Sequence, residues 1–222
     1  MEPVLCLLPS PLTGPASWHQ VAHLLTSRGA RAVEVPLPEG APRTGEDVLA
    51  WCSAAIPGDE DVVLVPHSNA GLYVPALTMR RRIAGYVFVD AVLPASAGQV
   101  PMIPAPRYDI IAAKADADGI LPPWTAWWDE DISSLFPSAA VRERVEREQP
   151  RLPLSYFAEP MTIPAGWDTR PGAYLAFGET YAEEVTDATA RGWPVRTLAG
   201  DHLHMLIDPA QVAAEISALL ER

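Results

Sequence analysis

The sequence predicts an α/β fold: a doubly wound, mostly parallel six-stranded sheet with a helical cap inserted after the fourth strand. Three observations predict it. Strand-like and helix-like segments alternate through about the first ninety residues, the strand-like ones are continuously apolar, and the alternation lapses over residues 94–167 before resuming. Repeated strand then helix implies parallel pairing through right-handed crossovers. Unbroken apolar strands imply helices on both faces. The expected strand order is 2-1-3-4-5-6, with the core at residues 1–93 and 168–222.

Each element has its own signal. Residues 4–8 (VLCLL) form a strand stopped by Pro9. Residues 18–27 set Trp18, Val21, Leu24 and Leu25 at helical spacing and end at Arg28-Gly29. Residues 31–35 are a second strand, halted by Pro36. Residues 46–56 form a helix with Val48, Leu49, Cys52 and Ile56 inward. Residues 62–65 are the third strand, 71–79 a helix and 83–90 the fourth strand. The segment 94–167 is rich in Pro and Trp, shows no evident strand, and has a clear helical pattern only at 139–149. A segment of that length without strands in a compact domain is usually functional, so a lid is expected. The rhythm returns as strand 173–177, helix 182–191, strand 195–198 and helix 209–220.

The 222 residues suit one domain, and 49% hydrophobic content supplies its core. A net charge of −12 repels phosphate backbones, which argues against nucleic acid as a partner. Cys6 and Cys52 sit in apolar settings and read as core residues, with no disulfide framework or metal spacing. The N-terminus, MEPVLCLLPSP, carries no basic leader, and no run reaches bilayer length. A cytoplasmic location is therefore expected. The expected partner is a small-molecule substrate, with neither nucleic acid nor membrane. A homodimer is left open, and no cofactor or metal is expected.

Chemistry concentrates in two segments. In Val62–Pro75 (VVLVPHSNAGLYVP) an apolar strand breaks at Pro66-His67-Ser68-Asn69-Ala70 and restarts as a helix. Such a turn exposes a hydroxyl at a strand tip, as in a nucleophile elbow. In a doubly wound sheet, sites form beyond the carboxyl ends of strands. A serine at this junction also serves as a helix cap. His202 follows the last strand and precedes the last helix, again at a carboxyl end, so it is the candidate base for Ser68. His204 is its rival; in an extended loop the two would point opposite ways.

These motifs resemble the α/β-hydrolase superfamily, especially its small plant-esterase-like and hydroxynitrile-lyase-like branch. Asp201-His202-Leu203-His204-Met205-Leu206 matches the branch's Asp-His-x-x-Met-Leu, and the turn before Trp18 is similar. The resemblance implies a serine hydrolase acting on an ester-like bond, with Ser68 as nucleophile and His202 as base. It also implies oxyanion donors at Asn69 and just after strand one. There the chain reads Pro9-Ser10-Pro11-Leu12, and a proline cannot donate, which leaves Leu12. The acid expected after strand five aligns with Thr180 or Tyr181 and is missing. Asp90, at the tip of strand four, is the favoured substitute, as in a branch of the haloalkane dehalogenases. Glu179 is the alternative.

Trp124, Trp127 and Trp128 in the insertion could roof an apolar substrate pocket or form the cap's own small core. His67 reads as a hydrogen-bonded support. His19 and His23 lie at i and i+4, a metal-like spacing, but read as a solvated helix face. Two other outcomes stay open: a lyase, cyclase or isomerase using His202 as general base, and a hydrophobic-ligand binding protein.

Overall fold

The computed structural model describes residues 2–36 and 40–221. Its main sheet has six strands, all pairs parallel: β1 (Val4–Leu8), β2 (Ala32–Glu34), β3 (Val62–Ser68), β4 (Ile83–Ala91), β7 (Gly172–Phe177) and β8 (Val195–Leu198). Their spatial order is β2-β1-β3-β4-β7-β8, which is the expected 2-1-3-4-5-6 once the core strands are counted alone. Every residue of β1, β3 and β7 is buried, as strands covered on both faces must be.

The order reverses at β1, and right-handed crossovers then divide the helices between faces. Helix α1 (His19–Ser27) packs with α8 (Pro209–Leu220) on one face, and α2 (Gly45–Ala55) with α3 (Val74–Thr78) on the other. Local chemistry sets their ends. Thr44 and Asp47 make a reciprocal capping box at the start of α2, and Asp208 accepts from the Gln211 N–H at the start of α8, with Pro209 in its first turn. Hydrogen bonds from the Arg43 and Thr44 amides hold the Asp47 carboxyl below its usual range.

The insertion departs from expectation in two ways. It contains a short antiparallel pair, β5 (Gly98–Val100) with β6 (Met161–Ile163), and a helix α4 (Ala105–Ala112) besides α5 (Ala139–Glu148). Three-residue strands are too short to show a period in sequence, and β5 has no buried residue. The buried apolar cluster runs without a break from the sheet into this segment, through Met102, Trp124, Trp127, Tyr156 and Phe157. The helix expected from residue 71 is also divided. A 3₁₀ turn, Asn69–Tyr73, comes first, and α3 begins only at Val74.

The elbow leaves no room for a side chain at Gly71. A Cβ there would lie 1.9 Å from the Val92 carbonyl oxygen, just beyond β4. Gly71→Ala should therefore push the turn after Ser68 away from Val92 and cost about 1–3 kcal/mol, the scale of overpacking. Urea denaturation midpoints would show it, and an unchanged midpoint would mean that this contact is loose.

Candidate active site

Near its carboxyl end, β4 carries a residue that β3 does not pair. His67 faces Val89 and Ser68 faces Ala91, so Asp90 lies in a bulge between them. Bulges re-aim side chains. Asp90 takes φ 42° and Ser68 φ 56°, the two positive-φ non-glycine residues among those described. Each such conformation costs on the order of 1–3 kcal/mol and persists only where its surroundings enforce it.

The surroundings do enforce it. The Tyr174 hydroxyl on β7 donates to the Ala91 carbonyl at 2.5 Å and accepts from the Ala91 N–H at 3.0 Å, satisfying both groups beside the bulge. Burial, reinforced by the Asp90 carboxylate, drives the Tyr174 pKa up, so its O–H stays in place. The Val92 N–H closes the far side on the Ser68 carbonyl at 3.0 Å.

Three side chains expected from sequence come together at this point. His202 Nε2 lies 3.0 Å from Ser68 Oγ, and its Nδ1 lies 2.6 Å from Asp90 Oδ2. Asp90 is fully buried, and its Oδ1 accepts from the Phe177 N–H at 2.8 Å. With Nδ1–H donated to Asp90, the imidazole presents Nε2 to the serine as an acceptor. Glu179 is not brought in: its side chain is exposed, and Asp90 already occupies Nδ1. His204 opens the short helix α7 (His204–Ile207) and packs edge-on against Phe177, not in an extended loop. Close packing holds this turn: a Cβ on Gly200 would lie 2.3 Å from the His204 ring.

His67 supports the loop from beneath. It is completely buried, stacks on His202 at 4.7 Å between ring centroids, and donates Nε2–H to the His202 carbonyl at 3.0 Å. Burial, with the neighbouring His202, lowers its pKa well below 6.5, so it stays neutral. Asn69, after the serine, is gripped by the insertion: its Nδ2 donates to the Met102 carbonyl at 3.2 Å and its Oδ1 accepts from Tyr156 OH at 2.9 Å. Tyr156 in turn bonds Tyr73. Leu12 lines the site, but its N–H is directed at Ser10 Oγ, 3.2 Å away.

Over these groups lies a cavity of about 510 Å³. Trp124, Trp127 and Trp128 line it; the first two are buried and also belong to the continuous core, so they serve both readings of the sequence. Trp124 stands 6.1 Å from the His202 ring. Arg107, Glu130 and Asp201 add charge to the lining. Tyr181 also lines it, with its ring 5.7 Å from that of His202, a residue that sequence reasoning noted only as an alignment position. A larger cavity, about 900 Å³, opens at the opposite end of the sheet from Ser68, beneath the strand starts.

Among the described residues no His, Cys, Asp and Glu cluster suits a metal ion, and no helix is long and apolar enough to cross a membrane. His19 pairs with Glu34 and approaches Glu148 of the insertion, so it is not simply solvated. Burial pushes the Cys6 and Cys52 thiols up to about 12, which leaves both unreactive.

Two predictions follow from these supports. Tyr174→Phe leaves the Ala91 N–H and C=O buried without partners and should cost about 2–5 kcal/mol, since each such group costs about 1–3; chemical denaturation measures it, and a loss under about 0.5 would remove Tyr174 from the bulge's support. His67 bears on pH. Unfolded, it titrates near 6.5; folded, it resists protonation. Its contribution is therefore complete above about 6.5 and is lost as pH falls further, because the unfolded chain takes up the proton first. The melting temperature should drop between pH 7 and 5, and less steeply in His67→Gln. Parallel slopes would show that His67 does not contribute.

No protein-family model matches this chain, and no curated protein sequence matches it. Solved structures do. Tomato methylketone synthase I superposes with a TM-score of 0.76 at 17% identity, over 99% of this chain and 98% of that one. An extracellular α/β-hydrolase from a Paenibacillus species gives 0.72 at 18%, over 98% and 99%. Polyneuridine aldehyde esterase gives 0.71 at 20%, over 99% of both chains. End-to-end likeness to all three shows that the chain adopts the α/β-hydrolase fold, that of the superfamily its motifs resemble.

Proposed function

We propose that the protein is a serine hydrolase that cleaves an ester-like bond of a small or medium apolar substrate. The observation that carries this reading is the unbroken relay Ser68–His202–Asp90, with both links at hydrogen-bond distance. Structural neighbours whose names include esterase and hydrolase support it.

Chemistry follows from the geometry. Ser68 Oγ attacks the carbonyl carbon, its proton passes to His202 Nε2, and the carbonyl π pair moves onto oxygen. The Asp90 carboxylate stabilises the imidazolium so formed. Collapse expels the alkoxide, which takes the proton from Nε2 and leaves an acyl-Ser68. Water, deprotonated by His202, then repeats the sequence and releases the acid. Asn69 N–H faces the developing oxyanion, while Leu12 N–H is held by Ser10 Oγ. The tryptophan-lined cavity, at about 510 Å³, is the place for an apolar acyl or alcohol group. We place this chemistry in the cytoplasm, without a cofactor.

A second reading has one observation in its favour. With the Leu12 N–H engaged by Ser10, oxyanion stabilisation is weaker on that side, and His202 could act as a general base for a lyase or cyclase step without an acyl-enzyme. The likeness to methylketone synthase keeps this reading in view.

A fluorophosphonate should add to Ser68, located by peptide mass spectrometry. Hydrolysis of 4-nitrophenyl butyrate should fall at least about a thousandfold in Ser68→Ala and about a hundredfold or more in Asp90→Asn, which disturbs the imidazole tautomer. Undiminished turnover by Ser68→Ala refutes the nucleophile. Turnover of a carbonyl substrate with no adduct on Ser68 selects the general-base reading.

A further inference from the structure

The turn after β1 offers little to an oxyanion. Pro11 has no N–H, Leu12 N–H bonds Ser10 Oγ, and the Thr13 and Gly14 N–H groups both go to the Ser10 carbonyl, at 3.1 and 3.0 Å. Asn69 N–H would face the developing charge alone. A second donor lines the same cavity. Tyr181 lies between the end of β7 and α6 (Ala182–Ala190), lines the same cavity as Ser68 and Asn69, and tilts at 45° to the His202 ring. Its phenol lies beside the Ser68 hydroxyl.

We propose that the Tyr181 hydroxyl is the second oxyanion donor of this site, in place of the amide that Pro11 removes. The proposal rests on the acyl-transfer reading of Ser68 and names a further residue for it. As Ser68 Oγ bonds the carbonyl carbon and the π pair moves to oxygen, the phenol donates a hydrogen bond to that oxygen. It transfers no proton. When the intermediate collapses, the pair returns to the carbonyl and the hydrogen bond weakens. The phenol suits this role because burial above all, with the Asp90 carboxylate adding to it, outweighs the Ser68 contact and pushes its pKa up. It therefore remains an O–H through the neutral and mildly alkaline range. The position is also free for the role: it is where the resemblance places an acid, and Asp90 already holds His202 from β4.

The test compares wild type with Tyr181→Phe on 4-nitrophenyl butyrate. The expected result is a kcat about a hundredfold lower, the scale of one lost oxyanion donor, with KM within about twofold. Phenylboronic acid, whose serine adduct carries negative charge on a tetrahedral centre, should bind the variant at least about tenfold more weakly, while butanol as a ground-state competitor binds both alike. A kcat within about threefold of wild type, with Ser68 still labelled by fluorophosphonate, overturns the Tyr181 role and leaves the Ser68 reading standing. A wild type that neither hydrolyses nor labels overturns both. Should Tyr181→Phe lose its cooperative melting transition, 3-fluorotyrosine at the same position keeps the shape with a more acidic phenol. Boronate binding tighter than wild type then supports the donor, and equal binding overturns it.

Discussion

One extra residue in β4 is the constraint from which the site follows. At the carboxyl end of the pair, register between β3 and β4 passes from His67 and Val89 to Ser68 and Ala91, skipping Asp90. Without that bulge, the alternation of a strand would carry Asp90 away from the side on which it meets His202. With it, the carboxylate turns to the carboxyl edge, where the Phe177 N–H and His202 Nδ1 take one oxygen each. Positive φ at Asp90 and Ser68 is the conformational cost, and the surrounding hydrogen bonds offset it. Tyr174 is central to this. Its one hydroxyl serves both backbone groups of Ala91, so β7 holds the shape of a strand beside it.

The second constraint joins the elbow to the insertion. Asn69 has both ends of its side-chain amide tied to residues 102 and 156, and Tyr156 continues to Tyr73 behind the elbow. The 3₁₀ turn after Ser68 is thus held partly by a segment that enters the chain thirty or more positions later. Folding of the insertion and the geometry of the serine are coupled through buried polar groups, which are costly to leave unpaired. The continuous apolar core across the same boundary says the same in nonpolar terms.

Much of this was legible in the sequence, and the limits are physical. Strand order could be read because apolar runs such as Val62 to Val65 and Ala173 to Phe177 signal full burial, and crossover handedness leaves few topologies. Ser68 and His202 could be read because each stands at an abrupt strand-to-helix break. The bulge could not. Val87-Phe88-Val89-Asp90-Ala91 shows the same pattern whether or not one residue slips, since the slip is decided by pairing with β3. The pair β5–β6 was hidden because three residues carry no period. A single helix over 71–79 is too simple: its apolar spacing is real, but the 3₁₀ turn Asn69–Tyr73 takes up its first three residues before α-geometry begins. The His19–Glu34 pairing was equally out of reach, since its two residues meet only after β2 is laid beside β1.

A carboxylate on β4 bonded to His202 constrains the rest of the site. A carboxylate at position 181 would stand near Asp90 and beside the same imidazole, and two like charges in one buried space oppose each other's ionisation. Only one of the two positions can then carry the acid without penalty. Because Asp90 already bonds His202 Nδ1, with its other oxygen fixed by Phe177, residue 181 is best neutral. A phenol meets that condition: it is uncharged, burial and the neighbouring carboxylate raise its pKa, and it keeps a donor proton beside Ser68. On the proposed reading, a proline in one turn and a tyrosine in another become parts of a single electrostatic arrangement around the same serine.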